Sequence, residues 1–432
     1  MNSQPVYVVD GTRTPFLKSR NVPGPFSAAD LATLAGRQLL ARQPFAASAL
    51  DEVILGCVMP ALDEVNIGRV VALRMGCGNA VPAWTVMRNC ASGMQALDSA
   101  MANIQRGRAQ LVLAGGVDAL SRAPVLWSEA MVRSLSAWAA ARSWRARLAV
   151  LAGLRPAHLA PVIALLKGLT DPIVGLSMGQ TAENLAWRFG ITRAEMDAFA
   201  LRSHQRLAAA QDAGHFAASL VPLVDQDGKL YEHDNGLRRE SSLADLTRLK
   251  PFFDRKYGRV SAGNSSQISD GASWLLLASE QALQRYDLQP LGLIRDSQWA
   301  GLAPEQMGLG PVHAVTPILQ RHGLALDDVD AWEINEAFAA QVIGCLRAWN
   351  DAEYCREALG LADVLGVLDE SRLNIDGGAI ALGHPVGASG ARIVLQLLHI
   401  LRRQPAAGRP RRGIASICIG GGQGGAMLVE AL

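Results

Sequence analysis

The 432-residue chain is poor in aromatic side chains, at 5%, and has almost no charge of one sign to spare: 41 Lys and Arg face 39 Asp and Glu, a formal +2. So even a balance gives no global electrostatic reason to seek nucleic acid or another polyanion as the partner. Cysteine is scarce as well. The six copies, at 57, 77, 90, 345, 355 and 418, include no Cys-x-x-Cys pair, and no histidines stand at zinc-finger spacing. Neither a disulfide framework nor a metal cluster is expected. Long apolar runs are missing too: the longest uncharged stretch, Gly413 to Val429, has 17 residues and is broken by glycine. That falls short of the roughly 20 apolar residues that span a bilayer. Met1 to Asp10 lacks the basic start and long apolar core of a secretory signal, which points to the cytoplasm and to free thiols.

What remains is a well-stocked core. Half of the residues are apolar and 19% charged, with 42 Gly and 20 Pro, a composition that suits a folded globular chain with many turns. The length suggests two or three domains.

Pro5 to Val9 predicts a buried strand ended by Asp10-Gly11, and Ser27 with Asp30 predicts the N-terminus of a helix carrying Leu31, Leu34, Ala35 and Leu39. Val53 to Leu55 and Thr85 to Met87 predict short strands, Ser92 to Gln105 a helix, and Leu111-Val112-Leu113 a further strand. Such alternation implies helices packed on a mostly parallel sheet.

An internal similarity refines this picture. Cys90-Ala91-Ser92-Gly93 opens a helix that leads through Arg106-Gly107-Arg108 to an apolar strand and Gly115-Gly116. Gly387-Ala388-Ser389-Gly390 does the same, through a basic, Pro-containing loop at 402–412, to the strand Ile414 to Ile419 and Gly420-Gly421-Gly422. The offset is 297 residues at the helix start and 305 at the glycines, so one loop is longer by eight. Two related α/β halves are expected.

Between them, Ala123 to Arg248 breaks the alternation and predicts an inserted region. Its first part, Ala123 to Thr170, carries Arg133, Arg142, Arg145, Arg147, Arg155 and Lys167 against Glu129 alone, with Trp127, Trp138 and Trp144 interleaved. A cationic amphipathic helix pair on a membrane or partner surface would have this pattern, and so would a solvated face with its tryptophans turned inward.

Four segments combine reactive side chains with small residues. In Arg88-Asn89-Cys90-Ala91-Ser92-Gly93 the cysteine falls at a strand-to-helix junction, where unpaired backbone N–H groups favour a thiolate. In Asn374 to Gly390, His384 is held between Gly383 and Pro385 on a tight turn, the fixed orientation a base needs. Cys418-Ile419-Gly420-Gly421-Gly422-Gln423-Gly424 ends a strand at glycines whose N–H groups suit an oxyanion. Glu333-Ile334-Asn335-Glu336-Ala337-Phe338-Ala339 sets an Asn, able to orient a water, before a helix. Each segment alone also fits a structural role: a buried thiol, a turn histidine, a strand-end turn or a helix cap.

Together the four resemble the thiolase family: N-C-x-S-G at Cys90, N-E-A-F-A at Asn335, G-H-P-x-G-A-S-G at His384 and C-x-G-G-G-Q-G at Cys418 occur in that family's order and spacing over nearly the whole chain. The resemblance implies the thiolase fold, two duplicated α/β halves stacked in five α-β-α-β-α layers with an inserted loop domain. Residues 1–122 with 249–280 would form the first half, 123–248 the inserted loop domain and 281–432 the second half. It implies a homodimer or tetramer, coenzyme A as co-substrate, and no metal or permanently bound cofactor.

By the same resemblance Cys90 is the nucleophile, activated by His384, and Cys418 moves the proton at the substrate α-carbon. One oxyanion site would be made by His384 with a water held on Asn335, and the other by the N–H groups of Cys90 and Gly420. Met178, Arg238, Phe253, Ser266, Ala337 and Phe338 would contact CoA or the acyl group. Ser177 stands where short-chain acetoacetyl-CoA thiolases commonly carry His. Ser241 to Asp245, Phe253 to Lys256 and Arg356 to Gly360 look like the thiolase subunits of fatty-acid β-oxidation complexes, although Asn335 replaces the His many of those carry before E-A-F. The activity implied is 3-ketoacyl-CoA thiolysis over broad or longer chain lengths. The alternatives are biosynthetic acetoacetyl-CoA formation, a non-catalytic scaffold or membrane-docking subunit, and a decarboxylating ketoacyl synthase, against which Cys418 speaks.

Overall fold

The computed structural model describes residues 4–20, 22–405 and 408–432. Met1 to Ser3, where the signal-peptide reading begins, and Ala406 and Ala407 of the basic loop lie outside them. Nine strands make the main ladder: β1 (Val6–Arg13), β2 (Glu52–Gly56), β3 (Ala83–Val86), β4 (Leu111–Ala119), β5 (Ser269–Ala278), β6 (Gly292–Gly301), β7 (Ala331–Ile334), β8 (Arg411–Ile419) and β9 (Gln423–Ala431). Their order is β7-β8-β9-β6-β1-β5-β4-β2-β3.

The two ends of this ladder repeat one design. In the first half β3, β2 and β4 are parallel, and β5 and β1 follow antiparallel. In the second, β7 and β8 are parallel and β9 and β6 follow antiparallel, while Leu373 bridges Trp332 in the place β3 occupies. Even the irregularities are duplicated: β1 slips register against β5 between Val8 and Asp10, and β6 slips against β9 between Ile294 and Asp296. The halves are hydrogen-bonded edge to edge through Val6–Ile294, Tyr7–Leu293 and Val8–Gly292, so neither leaves that edge open.

The ladder is mixed and not mostly parallel as the alternation suggests, with five of its eight pairings antiparallel, and the slip corrects a second expectation. β1 does not end at Asp10-Gly11 but runs on to Arg13, because Asp10 Oδ1 accepts the Gly11 N–H at 2.7 Å and the extra residue is absorbed as a bulge. β3 likewise starts and ends earlier than the apolar pattern suggests, leaving Met87 exposed.

Five helices build the layers: α1 (Ala28–Ala41), α2 (Ser92–Gln105), α3 (Gly310–His322), α4 (Ala339–Trp349) and α5 (Val386–Arg403). α1 starts at a capping box, with Ser27 and Asp30 satisfying each other's backbone N–H, and lies on the outer face of the first half. α3 covers the outer face of the second half. α5 touches β4 and β5 on one side and β7, β8 and β9 on the other, with α2 beside it, so these two form the middle of five layers. A helix between two sheets must be apolar nearly all round, and α5 is buried from Val386 to Leu398 and again at Ile400 and Leu401.

Residues 120–268 leave the ladder between β4 and β5. Helices Met178–Arg188 and Arg193–Asp212 return to pack on the second half's core. Residues 125–168 form an arm of two short paired strands and helices Glu129–Ala140 and Trp144–Ala152. Of the two readings of the arm, inward tryptophans are excluded for Trp127 and Trp144, which are 54% and 67% exposed. Among the described residues no helix is long and apolar enough to cross a membrane.

Candidate active site

Cys90 sits between β3 and the first turn of α2, where Asn89 adopts φ +42°. Asn and Asp tolerate this left-handed region better than other non-glycine residues. Ser92 locks the turn: its hydroxyl donates to the Asn89 carbonyl at 2.7 Å and accepts the Arg88 N–H at 2.9 Å. Asn89 Nδ2 then reaches across to the second half and donates to the Gly420 carbonyl at 2.8 Å. The backbone N–H groups of Gly420 and of Cys90 itself favour the ionised form of the Cys90 sulfur.

Backbone N–H groups favour the Cys90 thiolate, as the sequence suggests, and burial opposes them. Burial is the larger effect, so the Cys90 pKa is raised. Cys90 is therefore a thiol that needs a base. Cys418, at the end of β8 opposite Gly424, is also held as a thiol, by burial first and then by the proximity of Cys90 and Cys345. Cys90, from the other half, is close enough to raise the cost of ionising Cys418.

His384 enters from the second half just before α5. Gly383 has φ +112°, and a Cβ there would stand 2.2 Å from Ser269 Oγ, so only glycine serves. The imidazole Nδ1 lies 2.6 Å from Ser389 Oγ, whose hydroxyl donates to the Pro385 carbonyl at 3.1 Å. With its one proton so used, Ser389 accepts from Nδ1–H. Nε2 is left bare, and it has no partner. Burial, helped by the Arg392 charge, brings the His384 pKa down to about 3, so the ring is neutral at physiological pH.

α5 is pressed against α2 at glycines. A Cβ on Gly93 would lie 2.7 Å from the Gly387 carbonyl, and one on Gly387 would lie 2.5 Å from the Val117 carbonyl. Asp118, at the end of β4, accepts the Gly387 N–H at 2.5 Å through one oxygen and the Val58 and Met59 N–H groups through the other. Burial brings the Asp118 pKa up to about 6. Asn89, Asp118 and Ser389 thus tie the site together, and only the glycines beside them hint at that role in the sequence.

Asn335 follows β7 and is fully buried, with its N–H on the Ser416 carbonyl at 2.9 Å and its Nδ2 unpartnered. The residues after it close onto the loop 262–266: the Ser266 N–H donates to the Ala337 carbonyl at 2.9 Å, and Ser265 bridges Phe338. Phe253 packs edge-on to Phe338 at 5.8 Å and lies directly on Gly179. The Met178 sulfur is 3.1 Å from where a Gly420 Cβ would be. Met178, Phe253, Ser266, Ala337 and Phe338 therefore line one continuous region beside Gly420. Arg238 stands apart and exposed, its N–H on His204 Nδ1 at 3.3 Å. Lys18, which the sequence did not single out, joins it. Burial and the charges of Arg238 and Arg20 lower the Lys18 pKa, and burial with Arg238 and Lys18 brings His204 down to about 4. This cationic cluster suits the phosphates of a nucleotide.

The family model described as "Thiolase, N-terminal domain" matches residues 6–281, and "Thiolase, C-terminal domain" matches 288–431. The chain is 40% identical to the beta-ketoadipyl-CoA thiolase of Pseudomonas aeruginosa, over 99% of both chains. It is 36% identical to the 3-ketoacyl-CoA thiolase of Salmonella paratyphi C, over 99% of this chain and 97% of the other. Its structure resembles that of human mitochondrial 3-ketoacyl-CoA thiolase in complex with CoA, with a TM-score of 0.84 at 35% identity, over 99% of this chain and 98% of that one. Two matched domains and full-length relatives agree with the duplicated ladder and the sulfur-lined junction between its halves: the chain belongs to the thiolase family and is an acyltransferase.

Proposed function

We propose that the chain cleaves 3-ketoacyl-CoA of broad or longer chain length into acetyl-CoA and a shortened acyl-CoA, within fatty-acid β-oxidation in the cytoplasm. The observation that carries the thiolysis itself is the meeting of the two halves at Cys90, where Asn89 Nδ2 donates to the Gly420 carbonyl at 2.8 Å and brings the glycine loop after Cys418 against the Cys90 turn. His384 Nε2 takes the Cys90 proton as the thiolate attacks the ketone carbon. The oxygen that becomes anionic there meets donors already in place, each worth about 3 to 4 kcal/mol at the transition state. Cleavage leaves a carbanion on acetyl-CoA, which the Cys418 thiol protonates. CoA then collects the acyl group from Cys90, its thiol proton restoring Cys418 while His384 returns its proton to the departing Cys90 sulfur, and turnover is two-stage. Asn335 Nδ2 holds the water that, with His384, supports the other oxyanion. Arg238 and Lys18 take the nucleotide end of CoA, and Met178, Phe253, Ser266, Ala337 and Phe338 line the way to Cys90.

Longer acyl chains are favoured by the Ser177 position. Its hydroxyl caps helix Met178–Arg188 by accepting the Gln180 N–H, so no bulky ring stands before Met178. A second reading, a dicarboxylic 3-ketoacyl substrate, is supported by the relative named beta-ketoadipyl-CoA thiolase. Thiolysis rates over a chain-length series, with one ω-carboxylate substrate included, separate the readings. The first expects medium and long chains to be cleaved fastest, and it fails if only acetoacetyl-CoA or only the ω-carboxylate is cleaved.

The arm at 125–168 is proposed to rest on an anionic membrane surface. Trp127, Trp144, Leu148, Leu151 and Leu166 are exposed among the arginines, and a second copy of the arm would bring like charges together. Sedimentation with phosphatidylserine vesicles should show salt-sensitive binding. Its absence, or capture by a β-oxidation partner subunit in place of lipid, would count against the assignment. A homodimer or tetramer is expected, and the mass in solution tests it.

A further inference from the structure

Asn335 does not stand alone at the end of β7. Two residues earlier in the chain, Glu333 is 1% exposed on its side chain and accepts from Arg392 Nη1 at 2.8 Å; Arg392, from the middle of α5, is equally buried. The other nitrogen of the same guanidinium, Nη2, donates to Asn335 Oδ1 at 3.4 Å. Arg392 Nε and Glu333 Oε1 have no partner. A buried ion pair with bonds left unmade is a poor source of stability, and well-packed apolar residues would often do as well. Its reach to Asn335 supplies another reason for it.

An asparagine amide has two faces, one accepting and one donating. With a guanidinium on one side, only Oδ1 can be turned toward it, since an NH2 group there would set donor against donor. The amide is thereby fixed with Nδ2 on the opposite side, and Nδ2 is the atom left without a partner. Arg392 is itself held in one place by Glu333, which lies on the same strand as Asn335's neighbours, so the three move as one unit.

We propose that Arg392, anchored by Glu333, is a positioning residue for acyl transfer, fixing the Asn335 amide so that Nδ2 always faces the reacting oxygen's water. The proposal rests on the reading of Asn335 as that water's holder. It makes Arg392 act on the reacting oxygen through Asn335, an effect separate from that of its charge on His384.

Three variants test it: Arg392→Met, Glu333→Gln and Asn335→Ala, with the double variant Arg392→Met/Asn335→Ala. In thiolysis of a medium-chain ketoacyl-CoA, Arg392→Met should lower kcat by about 10²-fold, the loss typical of one displaced oxyanion donor, with KM changed by no more than about twofold. The double variant should be no slower than Asn335→Ala, because both remove the same interaction. Alkylation of Cys90 by iodoacetamide, which needs no oxyanion site, should not fall below wild type in Arg392→Met, since loss of the Arg392 charge can only make His384 a stronger base. Additive losses in the double variant, or alkylation falling in step with kcat, would overturn the proposal. If Arg392→Met does not fold, Glu333→Gln keeps the packing and should show a smaller loss of kcat with the same non-additivity toward Asn335→Ala; additivity there would overturn the proposal equally. If wild type acylates Cys90 and Asn335→Ala still turns over normally, the reading of Asn335 itself fails.

Discussion

Asn89 and Gly420 are 331 residues apart in the chain and joined by one hydrogen bond, from Asn89 Nδ2 to the Gly420 carbonyl at 2.8 Å. The bond fastens the Cys90 turn to the glycine loop after Cys418 and so keeps the Gly420 N–H where it favours the Cys90 thiolate. Asn89→Ala should therefore reduce kcat by about tenfold or more while costing about 2–3 kcal/mol of stability, the lost neutral bond adding to the strain of alanine in the left-handed region. Steady-state kinetics beside a denaturation curve separate the two effects. A loss of stability with kcat intact would show that the bond is merely structural.

Ser389 is expected to choose the His384 tautomer. In Ser389→Ala the Nδ1–H loses its acceptor and the proton can move to Nε2, the atom that must be bare to receive the Cys90 proton. Cys90 alkylation at pH 7 should slow by about 10- to 100-fold, within the range of a misdirected general base. Ser389→Thr, which keeps the hydroxyl, should recover part of the rate.

The neutral state of His384 has a consequence for acid stability. Its folded pKa is about 3 against an ordinary 6.5, so the unfolded chain binds this proton more readily than the folded one. Above pH 6.5 the residue contributes no pH dependence. As the pH falls from 6.5 toward 3, stability is lost. His384→Asn should flatten that portion of the curve, as followed by denaturant unfolding at a series of pH values.

Arg13 and Asp234 form a bidentate buried pair, 2.7 and 2.8 Å, that joins β1 to the inserted region, and Asp234 also accepts the Phe16 N–H at 2.8 Å. Breaking it by Asp234→Ala strands the arginine and should cost about 3–5 kcal/mol in denaturant unfolding.

The residues that could react were legible in the sequence because each is framed by glycine or another small residue that ordinary core packing does not demand. The duplication was legible too, from helix starts and glycine turns at matching positions. What joins the halves was not. Asn89 to Gly420 and Asp118 to Gly387 are contacts over long separations, and no local pattern encodes them. The bulge at Asp10 is hidden in the sequence because Asp-Gly ordinarily signals a turn, and here cross-strand pairing with β5 overrides it. The backbone N–H groups that favour a Cys90 thiolate were legible locally, and the burial that opposes them was not. In the arm, composition disclosed the charge excess but not which way the tryptophans face.

The central claim is that Cys90 carries the acyl group while Cys418 only moves a proton. Incubation with acetyl-CoA labelled in the acetyl group, followed by peptide mass spectrometry, tests it most directly. Wild type and Cys418→Ala should both carry the acetyl group on the Cys90 peptide, with Cys418→Ala unable to complete thiolysis. Label on any other residue, or acetylation that survives Cys90→Ala, would contradict the account.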